Sequence, residues 1–459
     1  LWPLSRAESP KQLHALDGGE RSLLQQTFER LSRAISPRRI KTVTSEKHRE
    51  QVLRQIRALQ PDYPEGNLLC EPVGRDSAPA ILWGALTLAR EEPGAVAVVV
   101  WCDQHIGSEE AFDRAIARAV EVARGGALAL IAITPTRPDP GLGYIKYGAA
   151  AGEGVYQVER FLEKPDRETA GRLIAEGGYG WNAGLFVFNV GTLLEEFERL
   201  GPEIWAAFAP LRAGSPPGGV EGARVVRQVY DQLRPAPFDT LLLEKTGRLL
   251  AIPCDLAWSD LGAWEVLYRE AAKDGDGNAI SGNVVTLASR NSLIRGQRRL
   301  IATVGVSDLV VIDTDDALLI CDMAQTQQVK ALVEQLAKEG RPEARASATT
   351  HRPWGLFTIL QRGEGFLVKL IEVLPGQKLS LQLHRHRSEH WVVIEGRAEM
   401  ICEEENRAVG PGESFYIPRG KKHCVANSGD APLRFIELQF GDYLEEDDIV
   451  RFEDRYGRV

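Results

Sequence analysis

The sequence predicts three parts: an α/β domain over residues 1–272, a small β-rich segment with one helix over 273–345, and an all-β barrel over 346–459. Three observations predict them. Apolar runs alternate with amphipathic stretches through the first 270 residues, the pattern of strands feeding helices. Short β segments follow at close spacing up to about residue 321. From 354 onward, short alternating strands are separated by Gly- and Pro-bearing turns. A chain of 459 residues exceeds one compact core, so several domains are expected.

In the first part, "AVAVVVWCD" (95–103) reads as a buried strand, "SEEAFDRAIARAVEVARGG" (108–126) as a helix, and "LALIAITP" (128–135) as a second strand. Strand, helix and strand joined by short turns imply a parallel sheet. "KDGDGNAISGN" (273–283) is rich in Gly, Asp and Asn and marks a boundary. The short strands after it suit a small β-solenoid (β-helix-like) or a sandwich, closed by the helical "AQTQQVKALVEQLAKEG". "RPEARASATTHRP" (341–353) reads as a linker into the barrel.

Composition excludes several classes. Charged residues make up 26% and the hydrophobic set 44%, as in a folded soluble protein. With 55 basic against 64 acidic side chains the net charge is −9, which favours neither nucleic acid nor a membrane surface. The six cysteines include no CxxC pair, which points to thiols in a reducing cytoplasm. The longest apolar runs are too short to span a bilayer.

Near the C-terminus "PGQKLSLQLHRHRSEHWVVIEG" is followed by "GPGESFYIPRGKKHCVAN". The spacings Gly376, Gln382, His384, Glu389, Gly396 and Gly412, Pro418, Gly420, His423, Asn427 resemble the two motifs of the cupin barrel, with Gln in place of the first usual His. Gln382 and His384, two apart on a strand, share a face. "RHRS" reads as the polar hairpin turn that returns Glu389 to that face, with His386 in the turn. Two imidazoles, a carboxylate and an amide oxygen suit one divalent ion, Zn²⁺, Co²⁺ or similar.

"RPWGLFTIL", "LSLQLHRHRSEHWVVIEG" and "DDIVRFEDRYGR" further resemble type II phosphomannose isomerases. That resemblance implies exchange between fructose 6-phosphate and mannose 6-phosphate through a cis-enediolate. It implies roles in isomerisation for Glu389, His390, Arg451 and Arg458, with Lys369 a weaker candidate for binding substrate.

In the first part, "LWPLSRAESPK" (1–11), "EPVGRDSAPAI" (71–81), "VERFLEKPD" (158–166), "GYGWNAGLFVF" (178–188) and "WSDLGAW" (258–264) occur in order. Together they resemble mannose-1-phosphate guanylyltransferase, a nucleotidyltransferase with a GT-A/Rossmann-like fold, over 1–345. The resemblance implies that Lys11 and Lys164 clamp phosphates and that Asp103 and Asp260 hold Mg²⁺. Gly143, Glu163 and Asn182 would face the sugar, and Glu71, Gly74 and Arg75 the base or phosphates of GTP. Gln104 stands where the family carries His, a change expected to alter packing more than chemistry. The family's glycine-rich loop and its strand precede "LWPLSR" and are absent from these residues. A protein starting at Leu1 is expected to be a poor guanylyltransferase with an edge missing from its sheet, and the sequence is expected to be part of a longer one.

The expectation is a bifunctional enzyme of GDP-mannose synthesis acting on GTP, mannose 1-phosphate, mannose 6-phosphate and fructose 6-phosphate. Alternatives are a guanylyltransferase with a non-catalytic metal cupin, or a sugar-nucleotide binding or regulatory protein with an impaired transferase site. Formation of a homo-oligomer is left open.

Overall fold

A computed structural model describes all residues except 17–18, 215–218 and 454–459. The chain divides into two compact units, Lys11–Ala272 and Leu1–Pro10 together with Lys273–Val459. The first ten residues therefore group with the second unit. Among the described residues, no helix is long and apolar enough to cross a membrane.

The first unit is built on a six-stranded sheet in the order Val96–Val99, Tyr179–Asn189, Leu128–Ile133, Leu249–Cys254, Val155–Leu162, Tyr144–Gly152. Leu128–Ile133 is buried at every position because both of its faces are covered. Ala129, Ile131 and Ile133 pack into one apolar cluster with Phe112 and Trp181. Leu128, Leu130 and Ala132 pack into the other with Phe186 and Phe197. A strand whose alternate side chains feed two cores is the centre of a three-layer α/β arrangement.

The sheet is mixed rather than parallel. Tyr179–Asn189 runs antiparallel to Val96–Val99, Leu128–Ile133 and Tyr144–Gly152, and it lies between the first two. The helix that joins them in sequence spans Glu109–Arg124. Ser108 caps it by accepting from the Ala111 N–H, and Ala111, Ala115, Ala119 and Ala123 form a buried small-residue stripe. Among the described residues, Val96–Val99 pairs on one side only, and Thr42–Ser45 forms a separate parallel pair with Leu68–Glu71.

Tyr179–Asn189 bulges opposite Ile131, and there Gly184 takes φ +67°. A Cβ at that position would lie 1.9 Å from Trp101 Nε1. Gly184→Ala is therefore expected to lower stability by about 2–4 kcal/mol, from left-handed strain plus overpacking. Urea unfolding measures the loss, and an unchanged midpoint would mean that Trp101 swings aside without penalty.

In the second unit, Ala279–Ser281, Leu293–Arg295 and Leu309–Asp313 stack as parallel rungs, and Val284–Leu287 lies parallel to Ile301–Val304. Parallel stacking of successive coils makes this segment a β-helix, closed by the antiparallel Leu318–Asp322 and the helix Val329–Lys338. The expected linker is largely structured. Thr349–Arg352 is a strand paired with Gly355–Gly363, and Trp2 and Arg6 hydrogen-bond the carbonyls of Glu343 and Ala346.

The barrel consists of a six-stranded and a five-stranded sheet. Its core holds Trp354, Phe357, Ile371, Trp391, Val393, Met400, Val425 and Phe435. Three neighbouring antiparallel strands change character at one end. Inward positions pass from Val373 and Ile371 to Lys369, from Val393 and Trp391 to Glu389 and Arg387, and from Leu433 and Phe435 to Glu437 and Gln439. That shared polar end positions the site.

Candidate active sites

The barrel site begins with strand alternation. On Leu381–His384, Gln382 and His384 are the buried positions. His423 is directly opposite Gln382 in the antiparallel register. The motif glycines Gly376, Gly396, Gly412 and Gly420 all have positive φ, between +69° and +82°, so the motif spacing marks turns that need glycine.

Donor atoms of His384, Glu389 and His423 lie within 4.8 Å of one another, and all three residues are buried. His384 Nε2 is 3.1 Å from Glu389 Oε1, and His423 Nε2 is 3.6 Å from Glu389 Oε2. His423 Nδ1 is 2.9 Å from the Lys421 carbonyl, which fixes the tautomer with its proton on Nδ1 and the Nε2 lone pair facing inward. His423 Nε2 and His384 Nδ1 are buried without a hydrogen-bond partner. An unpartnered His423 Nε2 facing a buried carboxylate, with His384 Nε2 on its other side, fits a divalent ion.

Burial would raise the Glu389 carboxyl, but the adjacent His384 and His423 imidazoles outweigh it and hold the group well below the usual carboxylate range. Burial lowers the basicity of His384, with Glu389 opposing. Gln382 Nε2 lies 3.5 Å from His384 Nε2, which places its amide at the edge of the donor set.

The turn is shorter than expected. It comprises Arg385 and His386, and strand resumes at Arg387. His386 packs edge-on to Tyr443. Arg387 is buried and donates to Glu389 Oε1 at 3.1 Å, a contact not anticipated for a turn residue. His390 requires a correction. Alternation sends it to the outer face of its strand, edge-on to exposed Tyr416, so the structure does not bring it to the cluster.

A cavity beside the cluster is lined by Lys369, Gln382, Arg387, Glu437, Glu446 and Arg451. Lys369 donates to Glu446 Oε1 at 2.8 Å, and Arg451 is opposite Gln382 in register. Arg458 lies outside the described residues.

In the first unit, Lys11, Asp103 and Asp260 meet. Lys11 Nζ is 3.2 Å from Asp103 Oδ2 and donates to the Asp260 carbonyl at 2.7 Å. The pairing of Trp258–Ser259 with His105–Ile106 brings the two aspartate-bearing segments together. Gln104 reinforces that junction, donating to the Ala183 carbonyl at 2.8 Å and accepting from Trp258 Nε1 at 2.9 Å. It thus ties the segments bearing Asp103, Asn182 and Asp260.

A second group collects Gly143, Glu163, Lys164 and Asn182. A Cβ on Gly143 would sit 2.6 Å from Glu163 Oε2, so a larger residue there would have to displace the Glu163 carboxylate. Lys164, at φ +45°, donates to Glu163 Oε1 at 2.6 Å, a bond that raises the basicity of its ammonium. Asn182 is spent locally: its amide donates to Asp239 Oδ1 at 2.8 Å and its oxygen accepts from the Gly184 N–H. Asp239 was not anticipated. It opens a π-helical turn, and burial, with the charge of Glu163 next, pushes its carboxyl up to about 6.

Glu71 ends its strand with Oε1 buried and unpartnered, and burial pushes its carboxyl up to about 7, with Tyr230 opposing. Nearby, Arg75 Nε donates to the Tyr230 carbonyl, and Gly74 has open space around it.

Three family models match: nucleotidyl transferase over 1–277, a MannoseP isomerase/GMP-like β-helix domain over 282–336, and the mannose-6-phosphate isomerase C-terminal domain over 339–454. The chain is 39% identical to the mannose-1-phosphate guanylyltransferase of Escherichia coli (strain K12), covering 100% of this chain and 96% of that one. It is 41% identical to the xanthan biosynthesis protein XanB of Xanthomonas campestris pv. campestris (strain B100), covering 100% and 97%. A solved structure described as mannose-1-phosphate geranyltransferase from Thermus thermophilus matches with a TM-score of 0.65 at 32% identity, over 73% of this chain and 95% of that one.

Proposed function

The chain belongs to the mannose-1-phosphate guanylyltransferases that carry a C-terminal mannose-6-phosphate isomerase domain, and we propose that it performs both reactions. It joins GTP and mannose 1-phosphate into GDP-mannose and pyrophosphate, and it interconverts mannose 6-phosphate and fructose 6-phosphate. The observation that carries the reading is the buried His384–Glu389–His423 cluster, with His423 Nε2 unpartnered, beside a cavity lined by Lys369, Arg387 and Arg451 together with Glu437 and Glu446.

For isomerisation, Gln382, His384, Glu389 and His423 would hold a divalent ion that polarises the sugar's carbonyl and hydroxyl oxygens. Lys369 and Arg451, with Arg458 by resemblance, would bind the phosphorylated sugar. Arg387 keeps Glu389 turned toward the imidazoles.

For nucleotidyl transfer, a phosphate oxygen of mannose 1-phosphate attacks the α-phosphorus and pyrophosphate leaves. Positioning and charge neutralisation do most of that work. Lys11 and Lys164 would neutralise phosphates, and Asp103 with Asp260 would hold the Mg²⁺ that accompanies a nucleoside triphosphate. Gly143, Glu163 and Asn182 would shape the sugar subsite, and Gly74 and Arg75 the approach of the nucleotide. We place functional boundaries at 272/273 and 345/346.

Purified chain is expected to convert fructose 6-phosphate to mannose 6-phosphate only with a divalent ion, and to form GDP-mannose only with Mg²⁺. A metal-loaded chain lacking isomerase turnover would remove the first assignment. Glu71 is assigned to the guanine edge, whose adjacent N–H groups suit one carboxylate. Glu71→Gln is expected to raise the KM for GTP by about 10–100-fold, the worth of one to two charged hydrogen bonds, with the isomerase rate unchanged. An unchanged KM would move guanine elsewhere.

A further inference from the structure

We propose that Glu437, rather than a member of the metal-facing set, carries the proton between C1 and C2 of the sugar phosphate. The proposal rests on the isomerase reading of the barrel.

Interconversion needs a base that can both remove and return a proton on carbon. Glu389 is badly placed for that work. Its Oε1 faces His384 and accepts from Arg387 and Gln439, while its Oε2 faces His423 and accepts from Trp391. His390 faces outward. Among the described residues, the acids that line the cavity are Glu437 and Glu446. Glu446 is half-exposed and paired with Lys369 at 2.8 Å.

Glu437 is 4% exposed, on the inward face of Leu433–Gly441. In register it stands directly between Lys369 on one neighbouring strand and Trp391 on the other. Trp391 Nε1 lies 3.2 Å from both Glu437 Oε1 and Glu389 Oε2, so one indole N–H fixes the spacing between the acid and the metal-facing carboxylate. Gln439 does the same from the next inward position, reaching Glu437 Oε2 at 2.7 Å and Glu389 Oε1 at 3.1 Å. Lys369 Nζ is 3.9 Å from Glu437 Oε2. The acid is therefore held against the donor set while bordering the space a substrate would use.

The proton balance closes within the substrate. Glu437 takes the C2 proton of open-chain mannose 6-phosphate, and the C–H electron pair becomes the C1–C2 double bond as O1 gains a proton. O2 then loses a proton and becomes the ketone oxygen while Glu437 returns its proton to C1. No external oxidant or reductant takes part. The charged groups facing Glu437 are Glu389, Lys369, Arg387 and Glu446. Burial raises its carboxyl, the charge of Glu389 raises it further, and Lys369 and Arg387 oppose. Such a group takes up a proton more readily than an exposed glutamate.

The test uses metal-loaded wild type, Glu437→Gln and Glu437→Asp with mannose 6-phosphate deuterated at C2, measuring kcat, KM, metal per chain and deuterium lost to water or moved to C1. Glu437→Gln is expected to keep its metal and lose about 10²–10⁴-fold in kcat and in label movement, the range for a general base. Glu437→Asp keeps the charge but withdraws it by one methylene, and it supplies the same readout should the Gln variant lose metal. It is expected to lose at least about 10-fold in kcat, with KM changed less than about 3-fold. Metal-loaded variants that move label at the wild-type rate would place the base elsewhere. A metal-loaded wild type that neither isomerises nor moves label would remove the isomerase reading, and Glu437 with it.

Discussion

His384→Ala and His423→Ala proteins are expected to hold essentially no divalent ion and to show no isomerase rate, while His386→Ala keeps both. Each of the first two side chains contributes a buried nitrogen facing Glu389. Losses around such donors cost about 10–100-fold in affinity even when the residue does not touch the ion, so losing a donor costs more. Alanine would also leave the Glu389 carboxylate, 1% exposed, with only Arg387, Trp391 and Gln439 to compensate its charge. His386 packs on Tyr443 in the turn and faces none of these groups. Metal per chain beside isomerase rate decides the matter. Metal kept in His384→Ala but lost in His386→Ala would mean that the inward register is reversed.

Motif spacing made the barrel donor set legible, because it encodes turns and alternation together. Gln382, His384 and Glu389 occupy inward positions, and the glycines that frame them take φ values glycine alone tolerates easily. His390 entered through the family resemblance alone, and the same alternation sets it on the outer face. Treating "RHRS" as turn hid that strand resumes at Arg387, which sets Arg387, Glu389 and Trp391 on one face and His390 on the other. Glu437 and Gln439 left a readable sign in "LRFIELQFG", where two polar residues follow Leu and Phe on the apolar register. That sign becomes informative only once Leu433 and Phe435 are known to face the core.

In the first unit, the sequence named residues but not their neighbours. Asp103 and Asp260 are far apart in sequence, and the pairing of Trp258–Ser259 with His105–Ile106 joins their surroundings. Asp239 lacked any local pattern, since its role depends on burial against Asn182 and Glu163. The parallel-sheet expectation failed because local periodicity identifies strands and cannot say which strand inserts between them. Gln104 was legible as a departure, and its two hydrogen bonds give the reason: an amide donates to Ala183 and accepts from Trp258 simultaneously.

Asp260→Asn is expected to lower GDP-mannose formation by about 10²–10³-fold, the scale of removing one preorganised charge contact from a transition state. The geometry makes this substitution informative, because Lys11 is held by the Asp260 backbone carbonyl rather than its side chain. Asparagine leaves that bond, and the adjacent strand pairing, in place. The loss then reports the carboxylate alone. Asp103→Asn differs, since it also removes the ion pair with Lys11 and so releases an ammonium expected to meet phosphate. Asp103→Asn should therefore change the KM for GTP as well as kcat, whereas Asp260→Asn should mainly raise the Mg²⁺ concentration needed. Titrating Mg²⁺ against fixed GTP and mannose 1-phosphate separates the two, with calorimetry of Mg²⁺-loaded GTP as a second readout that does not depend on turnover. Isomerase rate in the same preparations monitors the other unit and should stay at the wild-type value. If Asp260→Asn bound Mg²⁺-loaded GTP as the wild type does and needed no additional Mg²⁺, its carboxylate would not hold the ion, and Asp103 would have to act with another acid.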